Sequence, residues 1–268
     1  MPHPTSDAAY LEYQYDDSAK LRIRAETHQR FTVGEADFAA TELRVLSLGQ
    51  GQLVLDAGCG PGRLATGLRG SDVTVVGIDR SFGMVREAIS SVGRAEFAQA
   101  DIAALPFADA SFDRVAALGV LYHVRDWRTA LRELRRVGRP GGRIVVSTNG
   151  PQTMQQLLDL HFEAARELGY VPLAPDVETL RLEDLEAVRE VLPSVECQVL
   201  SSSLVFPSAE PALRFYATNR IDLIEDWPDD GSHRPALLAA VRRRIEAIIA
   251  REGEFTVPKT FGYFVADL

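Results

Sequence analysis

Three glycines alternate with other residues directly after a short apolar run. Gly58, Gly60 and Gly62 follow the run Leu53–Asp56. Glycine lets the backbone turn tightly and lets a ligand approach it closely, because no Cβ stands in the way. In a dinucleotide-binding fingerprint the third glycine would stand one residue later, where this chain has Arg63. The spacing therefore indicates a ligand-binding turn and argues against one that holds a pyrophosphate.

Two aspartates flank this turn. Asp56 stands two residues before Gly58, and Asp79 ends the β-branched run Val73–Ile78 that follows. A carboxylate at position 56 is unfavourable beside a pyrophosphate but suits a cationic amino group. An acid at the end of the second strand can accept hydrogen bonds from both hydroxyls of a ribose. These features favour an adenosine ligand with an ammonium group and no phosphate over the nicotinamide dinucleotide of an oxidoreductase.

Strand and helix patterns alternate around these residues. Runs rich in apolar or β-branched residues predict strands, and apolar residues at helical spacing between them predict helices. The predicted strands are Leu53–Asp56, Val73–Ile78, Glu96–Ala100, Phe112–Leu118, Arg143–Thr148, Glu196–Phe206 and Phe255–Val265. The predicted helices include Arg63–Arg69, Phe82–Val92, Trp127–Val137, Gln152–Leu168 and Thr179–Leu192. Such alternation is typical of an α/β fold with ligands at the carboxyl ends of its parallel strands.

Four segments resemble, in order, the motifs of one enzyme family. Residues 54–62 read Val-Leu-Asp-Ala-Gly-Cys-Gly-Pro-Gly, and residues 77–81 read Gly-Ile-Asp-Arg-Ser. Residues 100–113 form an acidic loop that leads into the fourth strand, and residues 134–146 lead through Pro-Gly-Gly into the fifth. The series is similar to the motifs of class I S-adenosylmethionine-dependent methyltransferases and lies between residues 50 and 150.

The resemblance implies a fold and a division of the chain. The fold is a Rossmann-like, doubly wound sheet of seven strands, mostly parallel with one antiparallel strand, with helical cap insertions. Residues 1–48 would form a helical lid, residues 49–150 the cofactor-binding core, and residues 151–268 a part with the last two strands and a helical substrate cap. The segments 15–18 and 256–265 resemble, more loosely, a bacterial small-molecule subgroup.

The resemblance also implies which residues bind S-adenosylmethionine. The loop glycines would line its methionine part, with Asp56 near the amino group. Asp79 would bind the ribose, Met84 would cover the adenine, and Asp101 would accept from the adenine amino group. The full predicted cofactor set is Tyr15, Arg24, Asp56, Gly58, Cys59, Gly60, Gly62, Asp79, Arg80, Met84, Asp101, Ile102 and Leu118. The structural alternatives are that Asp79 and Asp101 cap the ends of their strands and that Met84 belongs to the packed core of its helix.

The acceptor side carries fewer signals. His123 follows the fourth strand and is predicted to be a general base, because a group with a pKa near 7 assists deprotonation of an oxygen or nitrogen acceptor. A carbon acceptor needs no such base before attack, and a structural histidine is the alternative. Tyr122 and Asn149 are predicted to contact the acceptor. Tyr15 and Arg24 are predicted to close a lid over the cofactor, and a surface helix is the alternative for that segment.

The composition limits the classes of partner that the protein is expected to bind. The formal net charge is −9 and the pI about 5.1, which argues against nucleic acid because its binders neutralise phosphates with basic residues. No run approaches the roughly 20 apolar residues of a membrane helix, and the N-terminus lacks a secretory pattern. A cytoplasmic location without membrane contact is therefore expected. Two cysteines make no disulfide framework, the histidines show no metal-ligand spacing, and no metal is expected.

The resemblance thus implies an enzyme that transfers a methyl group from S-adenosylmethionine to an oxygen, nitrogen or carbon atom of a small molecule, in bacterial secondary metabolism. An RNA or protein methyltransferase and a non-catalytic cofactor-binding protein are the alternatives. The acceptor, the methylated atom, the use of a base and the oligomeric state, including a homo-oligomer, stay open.

Overall fold

A single mixed sheet with helices on both faces forms the centre of the molecule. The computed structural model describes residues 8–15, 18–34, 38–92, 96–174, 178–228 and 230–268, so Asp16 and Asp17 of the 15–18 segment lie outside the described residues. The strands are β1 (Thr32–Gly34), β2 (Gln52–Ala57), β3 (Val73–Asp79), β4 (Glu96–Gln99), β5 (Phe112–Leu118), β6 (Gly138–Asn149), β7 (Glu196–Phe206) and β8 (Phe255–Asp267). The helices are α1 (Ala8–Tyr15), α2 (Ala19–Phe31), α3 (Phe38–Leu46), α4 (Arg63–Gly67), α5 (Phe82–Val92), α6 (Trp127–Val137), α7 (Gln155–Glu167), α8 (Leu185–Arg189), α9 (Ala209–Tyr216) and α10 (Arg234–Glu252).

The strand order is β1-β7-β8-β6-β5-β2-β3-β4. Strands β2 to β6 run parallel, and β8 lies between β6 and β7 antiparallel to both. From β2 the chain continues to β3 and β4 on one side and to β5 and β6 on the other. The order therefore reverses at β2, and a doubly wound sheet binds its ligands in the crevice at such a point. The predicted doubly wound, mostly parallel α/β fold is confirmed.

The described residues form eight strands, one more than the seven that were predicted. The additional strand, β1, pairs antiparallel with β7 through Thr32↔Leu204, Val33↔Ser203 and Gly34↔Ser202. It therefore adds a second antiparallel strand at the edge of the sheet. Three residues at the end of a helix are too few to show a period of two, so no sequence pattern marks this strand.

The predicted helix over residues 179–192 is also too long. A 3-10 turn at Leu182–Asp184 leads into the short α8 instead. The Asp184 carboxylate accepts from the backbone N–H of Arg181 at 2.8 Å, which fixes the start of the helix. Pro193 follows soon after and disfavours helical backbone in the residue before it.

The central parallel strands β2 and β5 are buried on both faces. Leu55 and Val115 belong to a core cluster with α6 and α8, whereas their neighbours Val54 and Ala116 belong to a cluster with α3 and α4. Alternate side chains of a strand point to opposite faces, so each strand supplies both clusters. Such continuous apolar runs are typical of strands covered by helices on both sides.

A second core lies beyond the end of β6. Strand β8 pairs with β7 from Phe255 onward but reaches β6 only from Phe261 onward, so the β7–β8 pair extends past the other strands. Phe206 and Phe255 at the end of this extension pack with α7, α9 and α10, and Tyr216 of α9 is fully buried there. Helices α7, α9 and α10 therefore rest on a core of their own.

We expect Gly62→Ala to destabilise the protein more than Gly70→Ala. Both glycines have a left-handed φ, +84° and +81°, which costs an alanine about 1–2 kcal/mol. A Cβ at Gly62 would also lie 2.7 Å from Cγ2 of Val92, whereas one at Gly70 meets no heavy atom within 4 Å. Overpacking adds about 1–3 kcal/mol. Urea denaturation measures the difference, and equal losses would contradict the close packing at Gly62.

Candidate functional site

The glycine turn folds over the end of β3. The backbone N–H groups of Gly58 and Cys59 donate to the carbonyl of Ile78 at 2.8 and 2.9 Å. Gly58 has a φ of +85°, and a Cβ there would lie 2.7 Å from Val120. A Cβ at Gly60 would meet no heavy atom within 4 Å. The turn is therefore packed from below at Gly58 and open above Gly60, where a ligand can approach the backbone.

Asp79 ties three backbone segments together. Its carboxylate accepts from the N–H of Gly60 at 2.9 Å and from the N–H of Ser81 at 2.8 Å. Burial raises the pKa of Asp79, and the two N–H donors act in the opposite direction. The Ser81 hydroxyl donates to the carbonyl of Tyr15 at 2.8 Å and accepts from the N–H of Met84. The predicted ribose acid thus has a fixed position between the turn, β3 and α5.

Asp56 is a buried carboxylate beside the turn, with 3% of its surface exposed. Burial raises its pKa to about 7, opposed by the nearby guanidinium of Arg63. Arg63 itself forms two hydrogen bonds to Glu42 of α3, at 2.6 and 2.9 Å. Glu42 was not among the predicted site residues, and its signal in the sequence is an acid on the buried face of an amphipathic helix. The ion pair with Glu42 holds the Arg63 guanidinium at the start of α4. The negative charge of Asp56 is therefore only partly compensated by Arg63.

The residues predicted for the adenine end differ in exposure. Met84 and Ile102 are buried, with 1% and 6% of their surfaces exposed. Asp101 is exposed and accepts from the N–H of Ala103 at 2.9 Å, which caps the turn after β4. Arg80 is exposed at the end of β3. The structure therefore places Asp101 and Arg80 at the surface rim and Met84 in the packing beneath it.

The cysteine of the turn faces inward. The Cys59 side chain is buried, with its Cβ 3.0 Å from the place a Cβ of Gly77 would take. Burial, together with Asp56 and Asp79, raises the pKa of its thiol. Its contribution to the predicted ligand site therefore comes from the backbone.

Tyr15, Arg24 and His123 come together from segments far apart in the chain. The Tyr15 hydroxyl lies 2.7 Å from Nε2 of His123, and Arg24 donates to that hydroxyl at 3.4 Å. Arg24 is held further by the side chain and carbonyl of Thr218, at 3.2 and 3.1 Å, and by Gln14 at 2.8 Å. The predicted lid pair and the predicted base thus form one hydrogen-bonded group.

The remaining acceptor-side residues lie at the ends of β5 and β6. Leu118 is the last residue of β5, and the next N–H, that of Gly119, donates to the Ser147 hydroxyl at 2.9 Å. The rings of Tyr122 and His123 are 4.4 Å apart, and burial raises the pKa of Tyr122. Asn149 ends β6 opposite Phe261 of β8. All of them stand at the carboxyl edge of the sheet, on the β5 side of the switch point.

These residues fit S-adenosylmethionine in kind and position. Carboxylates stand at Asp56 and Asp79, where the cofactor would bring an ammonium group and ribose hydroxyls. The basic residue next to the turn, Arg63, is engaged by Glu42 and offers no phosphate site. Within the described ranges, no group of three or more His, Cys, Asp or Glu side chains could hold a metal ion. The same described residues include no helix long and apolar enough to cross a membrane.

Comparison with known sequences agrees with this geometry. Residues 55–146 match the family described as "Methyltransferase domain". A malonyl-[acyl-carrier protein] O-methyltransferase of Pseudescherichia vulneris is 36% identical over 134 residues, which cover 48% of this chain and 53% of that protein. The O-methyltransferase cnsE of Penicillium expansum is 43% identical over 109 residues, 38% of this chain and 40% of that protein. The chain thus matches about half, or less, of the length of these curated relatives.

Solved structures share the fold. The [4+2]-cyclase SpnF superposes with a TM-score of 0.59 at 18% identity, over 100% of this chain and 98% of that one. Phosphoethanolamine N-methyltransferase 2 of Haemonchus contortus, solved with S-adenosylhomocysteine, gives 0.57 at 17% identity, over 96% of this chain and 59% of that one. Identities this low show the fold alone. Residues 55–146 are therefore similar to methyltransferase domains, and the chain shares its fold with these solved structures.

Proposed function

We propose that this protein transfers a methyl group from S-adenosylmethionine to an oxygen of a small molecule, in the cytoplasm. One observation carries the proposal. The turn from Gly58 to Gly62 and Asp79 stand on one side of the switch point, and His123 with Tyr15 stands on the other. Relatives named O-methyltransferases support the oxygen acceptor. We propose a role for each of the following residues as part of the same function.

Asp79 binds the ribose, and the turn receives the methionine part. Each oxygen of Asp79 already accepts one backbone N–H, and a carboxylate oxygen has two lone pairs, so both can still accept a ribose hydroxyl. Asp56 faces the ammonium group, with the Leu118 carbonyl nearby. Cys59 and Ile102 contribute backbone, Met84 packs below the adenine, and Asp101 and Arg80 border it. The described residues of the lid, 8–15, 18–34 and 38–48, close over this site, and the helices within residues 151–268 cap the acceptor.

His123 removes the proton of the acceptor hydroxyl. The bound cofactor supplies a methyl group on a sulfonium, which a nucleophilic oxygen can take by in-line displacement. The Tyr15 oxygen accepts from Arg24 and lies 2.7 Å from Nε2 of His123, and in the tautomer with its proton on Nδ1 this nitrogen accepts the Tyr15 O–H. In that tautomer, an acceptor hydroxyl that replaces the Tyr15 hydroxyl at Nε2 meets a base. Tyr122 and Asn149 orient the acceptor, and the packed lid excludes water.

The first prediction of this proposal concerns the cofactor. S-Adenosylmethionine and S-adenosylhomocysteine at about 100 times their Kd should stabilise the protein by about 2.7 kcal/mol, which is about 5–10 °C in Tm. NADH should give no shift. Asp79→Asn should lose the shift, because the amide cannot accept two ribose hydroxyls and two backbone N–H groups. Thermal unfolding measures each case.

Asp72→Asn is the matched control for this experiment. Asp72 is exposed at the opposite end of β3, so this variant should keep the full shift. A shift with NADH alone, or none with either methyl-donor ligand, would overturn the proposed function.

The second prediction concerns pH. Burial raises the pKa of Asp56 to about 7, and the ammonium group of S-adenosylhomocysteine binds the carboxylate form. Binding lowers that pKa, so Kd should increase as pH falls from 7 to 5, by up to about tenfold per unit. Asp56→Asn should bind weakly with a flatter profile. Isothermal titration calorimetry measures both, and an unchanged slope in the variant would assign the titration to another group.

Asp56 should also affect stability in the opposite direction. The folded protein holds this proton more tightly than the unfolded chain, whose aspartate has a pKa of about 4. The stabilising contribution is therefore present below about pH 4 and is lost as pH rises through about 7. We expect Asp56→Asn to raise Tm at pH 8 and to change it little at pH 4. A lower Tm at pH 8 would contradict the partly compensated burial of this carboxylate.

The third prediction concerns the base. His123→Gln should lower turnover by about 10²–10⁴-fold, the usual contribution of a general base. It should leave the Kd of S-adenosylhomocysteine unchanged, because the ring contacts the acceptor. Release of S-adenosylhomocysteine with a pool of phenols and hydroxy acids measures turnover. Undiminished turnover in this variant would remove the base from the mechanism.

A further inference from the structure

Four side chains that can carry positive charge gather between the N-terminal helices and the cap. Arg24 and His28 stand one turn apart on α2, Arg220 lies in the 3-10 turn after α9, and Lys259 lies on β8. Nζ of Lys259 is 3.1 Å from Nδ1 of His28. We refer to these four residues as the cationic group.

No carboxylate neutralises this group in the part of the chain that the structure describes. Arg24 donates to Thr218, Gln14 and Tyr15, all of them neutral. Arg220 donates to the Asn219 side chain at 3.1 Å, and Lys259 to Thr32 at 2.7 Å. Ion pairs elsewhere in the fold show that this is unusual for the molecule, since many of its arginines have a carboxylate partner within 4.0 Å.

The acid near Arg220 in the chain, Asp222, already has hydrogen-bond partners of its own. Asp222, two residues after Arg220, is fully buried and accepts from Arg234, His233 and Tyr13. It therefore belongs to a separate hydrogen-bonded cluster of the cap. The charge of Arg220 is left without an ionic partner among the described residues.

Burial lowers the pKa of three members of the cationic group. It lowers the pKa of Lys259, of which 4% is exposed, to about 8 and that of Arg220 to about 10. Burial and the charges of Lys259, Arg220 and Arg24 lower the pKa of His28 to about 4. The protein thus tolerates buried positive charge that costs stability. Such arrangements mark sites where a ligand supplies the missing charge.

Aromatic rings stand beside the cations. Nζ of Lys259 is 4.6 Å from the centre of the Phe38 ring, and His28 meets Phe215 edge-on at 5.6 Å. Phe38 in turn packs against Phe261 at 5.2 Å. The surroundings therefore suit a ligand with an apolar, ring-sized body and an anionic end.

The cationic group adjoins the proposed reaction site on the acceptor side. Arg24 contacts the Tyr15 hydroxyl, which contacts His123. Lys259 precedes Phe261 by two residues on β8, and Phe261 pairs with Asn149 at the end of β6. A molecule with its hydroxyl at His123 can thus extend towards the cationic group.

We propose that the cationic group binds the carboxylate of the methyl acceptor, so that the substrate is an apolar or aromatic acid with a hydroxyl to be methylated. This inference rests on the proposed function and names the substrate class of that site. Arg220 and Lys259 supply the charge, Arg24 and His28 supply hydrogen-bond donors and position, and the phenylalanines enclose the body of the acid.

Matched pairs of probes test the charge requirement. Benzoate and octanoate are compared with benzamide and octanamide, and phenyl phosphate with phenol, each by titration calorimetry with and without S-adenosylhomocysteine. We expect at least one carboxylate to bind about tenfold or more tightly than its amide, because hydrogen bonds to charged groups are the stronger ones. Equal binding within every pair overturns the proposal, and a preference for phenyl phosphate alone replaces the carboxylate with a phosphate monoester.

Arg220→Met assigns the preference to the site. It should lower carboxylate affinity about tenfold or more and leave amide affinity and the Kd of S-adenosylhomocysteine unchanged. Arg242→Met is the control, because Arg242 is paired with Glu210 on the exposed side of α10. A loss of S-adenosylhomocysteine affinity instead would assign the charge to the cofactor's own carboxylate and overturn the proposal. Failure of the wild type to bind S-adenosylhomocysteine would overturn the proposed function, while the carboxylate pairs still report on the cationic group.

Stability separates a binding role from a structural one without any ligand. In buffer without carboxylates or phosphates, Arg220→Met should have a Tm equal to or above that of the wild type, because it replaces a half-buried charge that has no carboxylate partner among the described residues with a neutral side chain of similar volume. Adding the preferred carboxylate should raise Tm in the wild type and not in the variant. A Tm several degrees below the wild type would show that Arg220 is structural and overturn the proposal.

Discussion

The carboxylate of Asp79 connects the parts of the site that the chain supplies from separate elements. It joins the end of β3 to the glycine turn through Gly60 and to the start of α5 through Ser81. The Ser81 hydroxyl then holds the carbonyl of Tyr15, and the Tyr15 hydroxyl reaches His123 beyond β5. One hydrogen-bonded path therefore runs from β3 over the crevice to the opposite side of the switch point. The N-terminal helices are positioned by it.

Charge is divided unevenly across the molecule. The net charge of −9 says nothing about this division. The buried Asp56 and the half-buried Asp79 stand beside the turn, while the half-buried Arg24 and Arg220 and the buried Lys259 stand between α2 and the cap. In a medium of low effective dielectric each set favours a ligand of opposite charge. A cationic donor and an anionic acceptor would thus be drawn to neighbouring places in one crevice.

The sequence predicted the core of the fold because its signals there are local. The strand Phe112–Leu118 and the helices Phe82–Val92 and Trp127–Val137 agree with the structure at both ends. Their apolar spacing is regular, and turn residues bound them. The strand Thr32–Gly34 was missed because it depends on pairing with Leu204, far along the chain.

The site residues that belong to one sequence motif could be predicted. The contacts between residues that come together only through tertiary packing could not. Asp79 and the glycines occur within one motif, so their proximity follows from the strand–turn–helix pattern. The contact of Tyr15 with His123 joins residues 108 positions apart. Arg220 and Lys259 are single residues in unremarkable segments, and only tertiary packing shows that they lack a carboxylate partner within the described part of the chain. No local sequence pattern indicates that an arginine or a lysine will lack a carboxylate partner in the fold.

The two cores offer a physical reason why the proposed acceptor recognition and the proposed methyl transfer can be modified separately. The cluster below the turn packs α3 and α4 on the sheet, whereas the cap helices pack on the extended ends of β7 and β8. Lys259 lies on that extension, and Arg220 lies between two cap helices. Substitutions distant from one another and without shared partners usually act additively. Changes in the cap can therefore alter the charge and shape presented to an acceptor, while Asp79 and the turn keep their geometry.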